Sequence, residues 1–383
     1  MNHVLNSDRP DKVALVEGDK AFTYAQIEHC IVYFASGLLA GRGDLMEARV
    51  AFLIPAGVDY VTALHGGWRA GGIAIPLNVA SAESEWEHCL TSAGVTQVIA
   101  DKHTFESIEG LCDRLSIPIS TVSDTLADSV SPLPELSTTR RAMIVFTSGT
   151  TSKPKGAVTT HGNIAAQIET LITAWEWHAD DVIPLFLPLH HVHGIINVLS
   201  CALWAGATVY AMPKLDLTAL CAQVAADTFS VFMAVPTIYV KLIDHLETLE
   251  DEEVEGICEG FANMRLNVSG SAACPVEVFE EWRDLTGQML LERYGMTEFG
   301  MALSNSLAPS DRVPGCVGLP LPSVEVRVVD DDGTVITPPS DRPGELRVRG
   351  ATLFTEYVGR PEATAEAFDD DVSVALVRPP RCS

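Results

Sequence analysis

Seven short apolar runs constrain the fold more than any other feature: ARVAFLI, GGIAIPLN, TQVIAD, RAMIVFT, DVIPLFL, ATVYAM and FSVFMAV. They do not alternate polar with apolar, so each is expected to be buried on both faces, as strands of parallel sheets are. Helical patterns separate them. In AFTYAQIEHCIVYFASGLLAGRG, Ile27, Ile31, Phe34 and Leu38 share one helical face, with an expected end at Gly41. From Val13 to about Tyr239, strand and helix alternate, which predicts α/β architecture with largely parallel sheets. After about Ser306 the character changes. VEVRVVDDDGTVI predicts a hairpin turning at Asp331-Asp332-Gly333, and PGELRVRG predicts a further strand. The expected layout is two α/β subdomains followed by a small β subdomain from about residue 307.

Composition sets limits on partners. A chain of 383 residues that is 47% hydrophobic and 20% charged can build a sizeable core in two or three packed units. Its formal charge of -26 repels nucleic-acid backbones and anionic membranes, so an anionic substrate needs a local cationic pocket. The nine cysteines include no CxxC pair and no metal-ligand spacing, and read as free thiols in a reducing compartment. No apolar run reaches the ~18 residues of a membrane span. MNHVLNSDRPDKVALVEGDK has no apolar signal core and is too acidic for a presequence, so the expected location is cytosolic. A mitochondrial or peroxisomal address would require a different N-terminus. ETLEDEEVEGICEG has unspaced carboxylates and is expected to be a solvated helix end or loop, not a metal site.

The strongest local signal follows the apolar strand AMIV: Phe146-Thr147-Ser148-Gly149-Thr150-Thr151-Ser152-Lys153-Pro154-Lys155-Gly156. It is not a Walker loop, since Lys155 precedes Gly156 where a Ser or Thr would be needed. Its physical logic is similar. Small residues let backbone N–H groups approach polyphosphate oxygens, hydroxyls add donors, and Lys155 adds positive charge.

Further along stand Pro188-Leu189-His190-His191-Val192-His193-Gly194, then Ser269-Gly270-Ser271-Ala272-Ala273 after RLNV, then Tyr294-Gly295-Met296-Thr297-Glu298. Taken alone, each has a plain structural reading: a satisfied histidine, a strand-to-helix turn, a surface carboxylate. Arg312 to Pro320, Gly344 to Gly350 and Tyr357 to Phe368 follow in order. Residues 147–156 resemble the TSGTTGxPKG signature of the adenylate-forming, AMP-binding acyl-CoA synthetases, with Ser152 replacing a glycine. The later segments resemble that superfamily's motifs in the same order, and are most similar to its malonyl- and methylmalonyl-CoA synthetases.

The resemblance implies an N-terminal adenylation domain over residues 1–371, with ATP, Mg²⁺ and the co-substrate CoA. Thr147, Ser148, Gly149, Thr150, Thr151 and Lys155 would cradle phosphates, while Ser269, Gly270 and Ser271 would lie against adenine. Tyr294 would stack on adenine beside Gly295, Thr297 would contact phosphate, and Glu298 would hold Mg²⁺. Lys155, Thr297, Glu298 and His191 are the implied catalytic group, with His191 a wall near the acyl-adenylate.

The acid turns on Arg293, in LLERYGMTEFGMALSN. The malonyl-CoA synthetases resemble this chain in ERYGMTE. A dicarboxylate must present one carboxylate to ATP while the other is held, and a guanidinium grips a carboxylate in a planar, bidentate way. Arg293 and His193 are the candidate contacts, with malonate first and methylmalonate second. Alternatively, Arg293 pairs with Glu292 or another acid to finish a strand.

In the family a small C-terminal domain follows, supplying a Lys to adenylation and rotating to build the CoA tunnel. Residues 372–383, in FDDDVSVALVRPPRCS, resemble nothing in the family and predict no element. The expectation is a truncated chain impaired in thioester formation, with a tail read from an intron or produced by a frameshift, since Val372-Ser373 can be encoded by GTAAGT. A medium-chain or aromatic monoacid ligase and a non-catalytic nucleotide-binding fragment remain as alternatives. A serine hydrolase is disfavoured by the absence of a GxSxG elbow.

Overall fold

All seven apolar runs form strands, and every one makes at least one parallel pairing. The computed structural model describes residues 8–147, 153–337 and 342–368, and the backbone of residues 374 and 375. Four of the runs lie in a seven-stranded sheet. Its order is Glu356–Tyr357, Gly156–Thr160, Arg141–Phe146, Ile73–Pro76, Arg49–Leu53, Gln97–Ala100 and Ile119–Thr121. The last five strands run parallel, and the first two join antiparallel.

Non-alternation has the expected physical cause. Ala51, Phe52 and Leu53 are each at most 1% exposed, because helices cover both faces of their strand. In the helix Tyr24–Leu39, Ile27, Ile31 and Phe34 are fully buried and Leu38 nearly so. Thr23 and Gln26 form a capping box at its start. It ends two residues before Gly41, where Ala40 itself takes the left-handed conformation (φ 46°).

A four-stranded sheet carries Thr208–Ala211 between Val13–Glu17 and Val182–Leu185, all parallel, with Lys20–Thr23 at one edge. A five-stranded sheet runs Val231–Ala234, Leu266–Ser269, Leu291–Met296, Gly300–Ser304, Leu319–Pro320, parallel through the first three. The hairpin expected at Asp331-Asp332-Gly333 is present. Val324–Val329 pairs with Val335–Ile336, the Asp330 carboxylate accepts the amides of Asp332 and Thr334, and Gly333 supplies a φ of 79°. Glu345–Gly350 extends this small antiparallel sheet. Val374–Ala375 adds a two-residue edge, an element not expected from the tail. One core spans Ala14 to Ala367 and draws on all four sheets.

Asp181 fastens the starts of three parallel strands. Its carboxylate accepts bonds from Ser230 Oγ (2.8 Å), Arg265 Nε (2.7 Å) and Arg265 Nη2 (2.6 Å). The amide of Ser230 donates to the Val182 carbonyl (3.0 Å), and that of Arg265 to the Ser230 carbonyl (2.9 Å). Strands 182–185, 231–234 and 266–269 therefore leave one clamp, and their opposite, C-terminal ends face the candidate site, where open parallel sheets bind ligands. The acidic segment near residue 250 is a helix N-terminus: Asp251–Asn263 begins with Asp251, Glu252 and Glu253, where the helix dipole favours negative charge. No helix among the described residues is long and apolar enough to cross a membrane.

Candidate active site

The glycine and hydroxyl loop leaves strand 141–146 and returns as strand 156–160, with Phe146 opposite Gly156. Thr147 N donates to the Lys155 carbonyl (2.9 Å) and closes the hairpin. Gly156 is required there, since a Cβ would lie 2.7 Å from Ile144 and 2.8 Å from Val358. Ser148, Gly149, Thr150, Thr151 and Ser152 fall outside the described residues. From the helix Glu83–Ala93, His88 Nε2 lies 2.8 Å from the Pro154 carbonyl and braces the returning arm. The Lys155 ammonium lies 4.1 Å above the centre of the Tyr357 ring.

The histidine segment enters a π-helix, His193–Ser200. Ser200 Oγ donates to the Ile195 carbonyl (2.6 Å), satisfying an acceptor in the widened turn. The His190 and His191 rings lie 4.0 Å apart between centres, tilted 50° to one another. Burial lowers both, His190 to about 3 with help from His191, so both rings are neutral at neutral pH. They line a cavity of about 200 Å³ with Thr147, Pro154, Glu85 and Trp86.

His193 is buried, and desolvation followed by the nearby Arg293 charge holds it well below the usual histidine range. Its Nδ1 lies 3.1 Å from Ser271 Oγ, and Arg293 Nη2 reaches the same oxygen at 3.4 Å. Ser271 makes this bridge from a left-handed backbone (φ 69°), a strained conformation for a non-glycine residue. His193 Nε2 and Arg293 Nε make no hydrogen bond among the described residues. Arg293 is 3% exposed, and burial lowers its guanidinium to about 9, still cationic at neutral pH. Gly270 makes room for it: a Cβ there would lie 2.6 Å from both Arg293 Cζ and Nε.

Arg293 forms no ion pair with Glu292. Adjacent strand residues face opposite sides, and Glu292 Oε2 instead accepts the Gly315 amide (2.8 Å). Burial raises the Glu292 carboxyl to about 7, with the Gly315 and Cys274 amides pulling the other way. An acid whose pKa is higher folded than unfolded binds its proton on folding, so stability falls as pH rises between about 4.5 and 7. We expect the melting temperature to decline over that window, and Glu292→Gln, which keeps an acceptor for Gly315, to flatten the decline. A variant with the wild-type pH profile would exclude this role.

A second cavity, about 330 Å³, lies against Ser271, Ala272, Ala273, Tyr294, Gly295 and the turn at Gly315. Ser269 and Gly270 are not among its walls. Ser269 is fully buried in its strand, and Gly270 opens toward Arg293. The Tyr294 hydroxyl is buried and unbonded among the described residues. Gly295 is confined by packing, since a Cβ would lie 2.1 Å from the Gly300 carbonyl. Thr297 and Glu298 form the turn between strands 291–296 and 300–304, with Thr297 half-buried and Glu298 buried. Tyr357 Oη donates to Glu298 Oε1 at 2.6 Å.

A family profile for AMP-binding enzymes matches residues 5–358. The chain belongs to that family. This AMP-binding enzyme is 38% identical to the mitochondrial malonate–CoA ligase of Mus musculus, over 94% of this chain and 68% of that one. It superposes on the ATP-bound MatB of Rhodopseudomonas palustris with a TM-score of 0.86 and 30% identity, over 97% of this chain and 73% of that one. A malonyl-CoA ligase with methylmalonyl-CoA and AMP bound gives a TM-score of 0.81 and 31% identity, over 98% of this chain and 77% of that one. These relatives place the AMP-binding enzyme among the AMP-forming acid–CoA ligases.

The donor set also bears on magnesium. Among the described residues no cluster of three His, Cys, Asp or Glu could hold a metal. A lone buried carboxylate at Glu298 fits the way Mg²⁺ is held beside nucleotides, by one or two carboxylates plus phosphate oxygens and water. Two features of this AMP-binding enzyme were not anticipated from its sequence: the tie from Tyr357 to Glu298, and the brace from His88. Both join residues distant in the chain, and neither has a local pattern.

Proposed function

We propose that the chain carries the adenylation site of an AMP-forming ligase for a small dicarboxylic acid, malonate first and methylmalonate second. The observation that supports it is Arg293: a buried guanidinium with no acidic partner among the described residues, beside His193 and the Ser271 hydroxyl. An unpaired buried charge is costly, and an incoming carboxylate removes that cost. Neutral His193 offers its ring edge to the same group without adding charge.

The distal carboxylate binds Arg293, and the other is directed at the α-phosphorus of ATP. Attack there expels pyrophosphate and leaves acyl-AMP, and the CoA thiol then displaces AMP. Tyr294 and the walls of the 330 Å³ cavity hold the base, while Thr147, Thr297 and Lys155 meet the phosphates. His191 walls the approach. Glu298 would hold Mg²⁺, which neutralises phosphate charge when bound. Catalysis is then positioning and charge stabilisation, with no side chain forming a covalent bond.

Pyrophosphate release with Mg-ATP tests the reading across malonate, methylmalonate, acetate, octanoate and benzoate. Malonate is expected to give the highest kcat/KM, with methylmalonate lower by roughly 10- to 200-fold, since one methyl group is worth about 1–3 kcal/mol in a pocket. Preference for octanoate or benzoate would establish the monoacid alternative instead.

A further inference from the structure

Tyr357 touches both charged groups that the phosphates would meet. Its hydroxyl donates to Glu298 Oε1 at 2.6 Å across a sequence separation of 59 residues, and its ring lies under Lys155 Nζ at 4.1 Å. The backbone repeats both links. Phe354 N donates to the Glu298 carbonyl (2.7 Å), and Val358 N donates to the Gly156 carbonyl (2.8 Å). Between them, Glu356–Tyr357 pairs with Val158 and Ala157 on the strand that leaves the phosphate loop. The ring is 1% exposed and packs against Phe354 at 4.7 Å, so few other positions are open to it.

We infer that Tyr357 is a positioning residue for adenylation: its ring seats Lys155 and its hydroxyl fixes the Glu298 carboxylate. One side chain thereby sets the distance between the lysine and the metal-binding oxygen. This rests on the proposed reading of Glu298 as the magnesium carboxylate. With Oε1 accepting from the phenol, the Glu298 carboxylate is held in one orientation, in which it would hold the metal. Partners of this kind, one bond removed from the metal, commonly change metal affinity by 10- to 100-fold.

The test compares Tyr357→Phe, which keeps the ring beneath Lys155, with Tyr357→Leu, which removes ring and hydroxyl, and with Glu298→Gln. Mn²⁺ binding is followed by electron paramagnetic resonance in the presence of a non-hydrolysable ATP analogue, alongside thermal melting. Tyr357→Phe is expected to weaken Mn²⁺ roughly tenfold with near-native melting and near-native affinity for the metal-free analogue. Tyr357→Leu is expected to weaken the metal-free analogue as well. Native Mn²⁺ affinity in Tyr357→Phe, with weakened affinity in Glu298→Gln, would overturn the inference alone. Native affinity in Glu298→Gln would overturn the metal reading, and this inference with it.

Discussion

Arg293→Ala is expected to lower malonate-dependent kcat/KM about a thousandfold, while acetate-dependent pyrophosphate release changes by less than about tenfold. Truncating one member of a buried, hydrogen-bonded charge pair costs 2–5 kcal/mol or more, and about 4 kcal/mol corresponds to that factor. Arg293→Lys should recover little of it, because an ammonium cannot reproduce the planar two-point grip and Gly270 leaves space shaped for a guanidinium. Arg293→Ala should leave the ligand-free protein as stable or more stable, since it removes a desolvated charge that lacks an acidic partner among the described residues. Acid-panel kinetics and melting curves on one preparation check both halves. A uniform loss with every acid would mean that Arg293 maintains the fold or the nucleotide site and does not select the acid.

The second large effect is on stability. Asp181→Ala leaves Arg265 without its carboxylate and Ser230 without an acceptor at the clamp where three strands begin. Breaking a buried pair costs about 3–5 kcal/mol, and the lower end applies because the Arg265 side chain is 27% exposed and gains water. Urea unfolding should therefore show a loss near 3 kcal/mol. Activity per folded molecule should persist, since the clamp is at the opposite ends of the strands from the site. Burial tends to raise the Asp181 carboxyl, but bonds from Arg265, the His178 amide and Ser230 outweigh it and hold it below the ordinary 3.8. For an acid so lowered, the stabilisation is present above that value and lost as pH falls through the folded value. The wild-type advantage should thus shrink only in strongly acidic solution. Undiminished stability at neutral pH would show that the three strand starts are held by their backbone bonds alone.

Much of this architecture was legible because strand burial leaves a mark on composition. Runs such as AMIV and VFMA cannot face water on either side, and each became a strand with a parallel neighbour. The face carrying Ile27, Ile31, Phe34 and Leu38 was equally direct. Other features left no such mark. The π-helix at His193 has the apolar density of any buried helix, and only its hydrogen bonds distinguish it. The opposite orientations of Glu292 and Arg293 follow from strand alternation and could have been anticipated, which would have weakened the idea that they pair. Ser271 was expected against adenine. Its bridge to His193 and Arg293 depends on a backbone angle that sequence does not encode, over separations of 78 and 22 residues.

Gly270 has a consequence for how this site can diverge. A methyl group there would lie 2.6 Å from Cζ and Nε of Arg293, so a side chain at 270 would displace the guanidinium from its present position. A lineage abandoning dicarboxylates could surrender the arginine first and then fill the glycine, each step sterically tolerated. In the reverse order, an arginine arriving beside a filled position 270 could not take the placement seen here until that position is emptied. If Arg293 selects a second carboxylate as proposed, that selectivity is easier to lose than to regain, and positions 270 and 293 should vary together wherever the acid changes.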